Sequence, residues 1–301
     1  VSQTHLNLLA IFLCAVLAHV LPATTWLGAY AVLGPAHYLT EISWLHDRKY
    51  FVSRPRLWMI TALAVLMIML VRPNQAEADG VFCALLGGLV AAGLGMSMVV
   101  TALVTAFSAG IGMAGAKLGW GFVLAVVVLV PTLIHVFAFT TMFMLAGASR
   151  TRQTKDCLPL AALGLAAASF LLLPTVDLGD GSFLKTAEKS FPRLLGLLSV
   201  PGHGVALRLV GFLGFAYAYH YVNWFLKTGL LGWHRVSSTR LVLLASAWAV
   251  VMFAYAQSIV VGLLVSLPLS LGHVLLELPL NMRTVRGLCS TSFLRPRLPT
   301  A

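Results

Sequence analysis

From Gly80 to Ala116 the chain runs through 37 residues without one charged side chain, and Lys117 is the first to break the run. A bilayer core about 30 Å thick takes about 20 apolar helical residues per crossing. The run therefore predicts two short spans with a turn near Gly93 to Ser97, or one long span with a re-entrant piece. Composition extends that reading to the whole chain. Of 301 residues, 59% are hydrophobic and 10% charged, against about 25% charged in an ordinary soluble domain. An ordinary soluble enzyme, a disulfide scaffold and a disordered chain are excluded together. The apolar runs are continuous and do not alternate in two-residue steps, which argues against a β-barrel.

The expected fold is all-α: a polytopic transmembrane helical bundle of about ten spans, eight to ten in all, forming a single integral-membrane domain over residues 1–301. Spans are predicted at His5–Leu21, at Thr25–His46 with Gly34 and Pro35 inside it, and at Leu57–Val71. Three more fall between Gly80 and Ala148, the last of them Trp120–Ala148 with Pro131 as its kink. Cys157–Pro174, Leu207–Phe225, Leu241–Ala256 and Ser258–Leu280 complete the set. A longer polar segment, 175–206, contains the amphipathic piece Phe191–Val200, and a basic tail covers 283–301.

The formal charge is +11, from 20 Lys and Arg against 9 Asp and Glu. In a membrane chain the excess belongs to short loops that it holds on the cytoplasmic side. No basic run is interleaved with aromatics on a soluble element, so no nucleic-acid partner is expected. Holding both Asp47–Arg56 and Arg150–Lys155 inside requires an odd number of spans between Gly80 and Ala148. Three satisfy this and leave both termini cytoplasmic; a bacterial inner membrane is the expected location. The first apolar run has no basic residue ahead of it and reads as a retained helix, not a signal peptide. The four cysteines form no CxxC pair, and Cys14 and Cys83 read as small core residues.

Two acidic residues fall inside the predicted apolar segments, Glu41 and Glu277. A carboxylate at the bilayer centre costs roughly 2.5–3.5 kcal/mol on insertion scales, so neither can face lipid without a partner. Each follows a histidine by four residues, as His37-Tyr-Leu-Thr-Glu41 and His273-Val-Leu-Leu-Glu277. Positions i and i+4 share one helix face, which sets an imidazole beside a carboxylate on two separate spans. Two further spans bring His135 and His220. Imidazole nitrogen with carboxylate oxygen, gathered from facing helices, is the donor set of bundle-core iron or manganese sites and also suits zinc. His37, Glu41, His135, His220, His273 and Glu277 are thus the candidate metal ligands, for one or two ions. A packing histidine, or an internal His–Glu ion pair, is the plainer account of each residue alone. His5, His19, His46, His203 and His234 read as span-end or loop residues.

Beyond His220 the chain is dense in aromatics up to Trp233, an interfacial belt by composition. Within it Asn223 is a candidate to orient a substrate, and Lys227 to meet an anionic head group or carboxylate. No HExxH, GxSxG or Walker motif occurs, and the histidine boxes of membrane desaturases are absent.

Four intramembrane histidines, His37, His135, His220 and His273, give the chain a span-level organisation that resembles the Brp/Blh β-carotene dioxygenase family. The resemblance implies a non-haem iron held by those histidines and dioxygen chemistry on a long apolar substrate. Glu41 and Glu277 depart from an all-histidine site. The expected function is a membrane non-haem iron oxygenase or desaturase acting on a lipid-soluble substrate, with Glu41 and Glu277 as catalytic carboxylates. Its partners would be the bilayer, the substrate, and a redox protein or larger membrane complex. The alternatives are a zinc hydrolase of lipid amides or esters, with Glu41 or Glu277 as general base, and a proton or metal transporter using the same residues as a relay.

Overall fold

The computed structural model describes residues 3–48, 75–115, 117, 133–151, 157–176, 178, 203–227, 232 and 236–289. Among them the secondary structure is helical, without a strand. The predicted span Leu57–Val71, residues 120–132 with Pro131, the piece Phe191–Val200, His234 and the tail beyond Cys289 lie outside the described residues.

The helices, in order, are α1 (Gln3–Val20), α2 (Pro22–Gly28) and α3 (Gly34–Arg48). A π-helical turn, Ala29–Leu33, joins α2 to α3 without a break. Then come α4 (Gln75–Gly93) and α5 (Met98–Gly115). A second π-helical turn, Ile134–Phe139, runs into α6 (Thr140–Thr151). They are followed by α7 (Leu158–Leu172), α8 (His203–Leu226), α9 (Ser238–Gln257) and α10 (Ile259–Cys289). Among the described residues, four helices are long and apolar enough to cross a membrane: α1, α5, α9, and α10 over Val261–Cys289. Asp79–Gly93, Ile134–Ser149 and Leu158–Leu172 are apolar but shorter. Phe12, Phe107, Leu172 and Phe253 stand exposed on these helices, an apolar surface of the kind that lipid would cover.

Proline explains the first π turn. Pro35 has no N–H to return to the carbonyl one turn earlier, and the helix widens ahead of it without breaking. The helix therefore continues through Gly34 and Pro35, and His37 and Glu41 remain on one regular stretch.

The chain divides into two compact units, each drawing on both halves of the sequence. The first comprises Val1–Trp44 and Gln153–Ser270. Its buried centre is α8, with Leu213, Phe215, Ala216, Tyr219 and Tyr221 all essentially inaccessible. Glycine lets α8 lie directly on its neighbours' backbone: a Cβ at Gly214 would stand 3.0 Å from the Pro22 carbonyl oxygen, and one at Gly211 would stand 3.0 Å from that of Ala18. At the end of α1, His19 stacks on Phe170 with centroids 4.0 Å apart and holds Ser169 Oγ at 2.8 Å, a span-end role as expected.

The second unit comprises Leu45–Arg152 and Leu271–Ala301. The charge-free run forms the expected pair of helices, α4 and α5, which turn back at Gly95 with φ of +74°. Small residues line their contact. A Cβ at Gly88 would stand 2.7 Å from Thr105 Oγ1, and Gly112 lies against the Asp79 backbone. Two boundaries differ from the sequence reading. Helix α4 begins at Gln75, ahead of Gly80, so Asp79 lies inside a helix and is 4% exposed, a third buried carboxylate. Helix α10 continues to Cys289, so Arg283 and Arg286 are helical and do not open a tail. Arg286 Nη1 donates to the Leu94 carbonyl at 3.0 Å, capping the C-terminal end of α4.

Candidate metal site

In the first unit α3 carries His37 and Glu41 one turn apart, and α8 brings His220 to meet them. His37 Nε2 lies 2.9 Å from Glu41 Oε2 and 3.1 Å from His220 Nε2. One ring nitrogen thus faces both a carboxylate oxygen and a second imidazole nitrogen. His37 and Glu41 are each 1% exposed and His220 9%. The surrounding wall is aromatic. Tyr221 and Trp224 lie 5.0 and 5.3 Å from the His37 ring, centroid to centroid. Tyr38 and Tyr221 join their hydroxyls at 2.7 Å, and Trp224 Nε1 donates to Thr40 Oγ1 at 3.1 Å, locking α8 to α3.

In the second unit His135 stands in the π-helical turn Ile134–Phe139, while His273 and Glu277 stand on α10. His135 Nε2 lies 3.1 Å from His273 Nε2. Its other ring nitrogen, Nδ1, lies 2.9 Å from Glu277 Oε2. Asn281 Nδ2 donates to that same oxygen at 2.9 Å. His135 and His273 are 2% exposed, Glu277 6% and Asn281 0%.

All six predicted ligands are therefore buried and gathered into two groups, each of two histidines and one glutamate. Buried ionisable groups need partners or an ion to offset their desolvation, and buried His and Glu side chains of this chain could hold a metal ion.

Asn223 is buried on α8, and its Oδ1 accepts no hydrogen bond among the described residues. Lys227 follows the last residue of α8, its backbone N–H donating to the Trp224 carbonyl at 3.1 Å. His46 is exposed, at 3.4 Å from Asp47. The sequence reading missed Asn281 and the Tyr38–Tyr221 pair. The signal for Asn281 was its spacing: it follows Glu277 by four, as Glu277 follows His273. The tyrosines carry no such signal, because their pairing joins α3 to α8 across 183 positions of sequence. Compared with models of protein families, with curated proteins and with solved structures, the chain matches none.

Proposed function

We propose that the chain is an integral-membrane, metal-dependent enzyme, a non-haem iron oxygenase or desaturase acting on a lipid-soluble substrate. The observation that carries this reading is the meeting of Glu41 Oε2 and His220 Nε2 at His37 Nε2, at 2.9 and 3.1 Å, in a buried site. Two histidines and one carboxylate are the ligand set of non-haem iron oxygenases. A carboxylate among the ligands suits hard, redox-active iron or manganese. His135 and His273, with Glu277 beside them, form the second group, so that the chain holds one or two ions.

Bound iron would supply the dioxygen-activating chemistry. The chain's own residues do the rest. His37, Glu41 and His220 bind and neutralise charge, and Tyr38, Tyr221 and Trp224 keep water from the site. Asn223 presents an acceptor that orients a polar group of the substrate, and Lys227 meets an anionic head group or carboxylate at the end of α8. The substrate enters from the apolar surroundings of a frame of about ten spans with both termini cytoplasmic. A partner protein supplies electrons.

The test is elemental analysis of detergent-purified protein prepared without chelators. One to two irons per chain is the expected result, and oxygen uptake with apolar substrates is the assay that follows. Stoichiometric zinc would replace the oxygenase with the lipid hydrolase, and no metal would leave a proton relay. His37→Ala should lower the metal content by at least half with the fold intact, and unchanged content would overturn the constellation.

A further inference from the structure

We infer that Glu277 and Asn281 are positioning residues that act behind a metal-binding pair, His135 Nε2 and His273 Nε2. The inference rests on the metal reading above and assigns the second group a different design from the first. The two His-x-x-x-Glu pairs are identical in spacing but not in geometry. Glu41 Oε2 approaches the same nitrogen of His37 that faces His220, so the three donor atoms converge. Glu277 Oε2 approaches His135 at Nδ1, while Nε2 of that ring faces His273. The two nitrogens point out of different corners of the imidazole. A carboxylate oxygen against Nδ1 therefore stands behind an ion held on Nε2.

Asn281 completes the arrangement. Its Nδ2 donates to Glu277 Oε2 at 2.9 Å, and the side chain is fully enclosed on α10. His273, Glu277 and Asn281 follow one another at four-residue steps along a single helix face. The amide holds the carboxylate, whose oxygen stands 2.9 Å from Nδ1 of the ring as an ion-pair contact. An anionic oxygen beside Nδ1 favours the ring proton at that nitrogen, which leaves the Nε2 lone pair for the metal. A carboxylate behind a metal-bound histidine also raises its strength as a donor.

The experiment titrates the purified full-length chain with Co²⁺ and follows the class of binding that His273→Ala removes. Asn281→Ala should weaken that class by about 10-fold and Glu277→Ala by about 10- to 100-fold. Asn281→Ala should add nothing in a Glu277→Ala background, because the amide acts only through the carboxylate. Glu277→Gln keeps an acceptor for the Nδ1 proton and should hold affinity within about 10-fold of the wild type. If Glu277→Gln loses as much as Glu277→Ala, Glu277 is itself a ligand and the inference falls. Additive losses at Asn281 and Glu277 also overturn it. A second arm needs no metal: nitrogen NMR of histidine-labelled protein, with His135→Ala to assign the signal. A proton on Nδ1 of His135 in the wild type, shifting toward Nε2 in Glu277→Ala, is expected. A proton on Nε2 in the wild type overturns the inference. A chain that binds no metal would overturn the proposed function, and the NMR arm would still decide the positioning role.

Discussion

Beside the histidines, α3 and α8 are joined by the hydroxyl pair of Tyr38 and Tyr221, 2.7 Å apart with each residue 1% exposed. Deleting one member of a buried hydrogen bond strands its partner, at about 1–3 kcal/mol, and the double deletion counts that shared loss only once. Tyr38→Phe and Tyr221→Phe are each expected to lower the melting temperature in detergent, and the double variant should cost clearly less than the sum. Additive losses would mean that the hydroxyls do not act as a pair. The same scale shows what could be read from the sequence. That His37 and Glu41 are neighbours follows from helical spacing, since i and i+4 meet wherever the helix goes. Which nitrogen of which ring faces the carboxylate does not follow. It depends on ring rotation and on the partner helix, so Glu41 and Glu277 looked alike in the sequence and differ in space.

Among the elements, the α4–α5 hairpin was legible because an uncharged run of that length must fold back, and Gly93 to Ser97 was its break in apolar residues. Its start was not legible. The polar residues Gln75 to Asp79 look like a loop by composition, but Glu77 in the first turn of α4 complements the helix dipole and lets the helix begin early. That shift makes Asp79 a buried group and sets its backbone against Gly112. A Cβ on Gly112 would stand 2.7 Å from the Asp79 carbonyl carbon, while one on Gly110, in the same helix, meets nothing within 4 Å. Backbone cannot yield as a flexible side chain does, so Gly112→Ala should destabilise by about 1–3 kcal/mol. Gly110→Ala should be neutral or stabilising by up to about 1 kcal/mol, from helix propensity alone. Thermal unfolding of the two variants in one detergent separates them, and equal effects would deny the close approach. The first π turn was illegible for a different reason: proline marks where a helix is perturbed and not whether it ends, so Pro35 was compatible with a kink, a break or the observed widening.

At the scale of the whole molecule, the ten-span frame makes a claim that two cysteines can test. Cys157 and Cys289 are exposed, at the start of α7 and the end of α10, and Cys14 is buried. Four helices, α7 to α10, are described between them. Of these, α9 and α10 have the length and apolar character to cross. Helix α8, with 24 residues, is about 36 Å long and so also reaches across a bilayer core. Helix α7 has 15 residues and reaches only about 22 Å by itself. It crosses only if the chain beside it deepens the span. If all four cross, the chain returns to the face it left, and the basic residues Arg150, Arg152 and Lys155 hold that face in the cytoplasm. Single-cysteine variants at 157 and 289 should then react with a membrane-impermeant maleimide in inside-out vesicles and not in intact cells. Labelling from opposite faces would mean an odd number of crossings, with α7 the helix that fails to span. Labelling of both from outside would keep the even count and reverse the orientation, against the charge bias. The outcome bears on the chemistry as well, because α8 carries His220 and α10 carries His273 and Glu277.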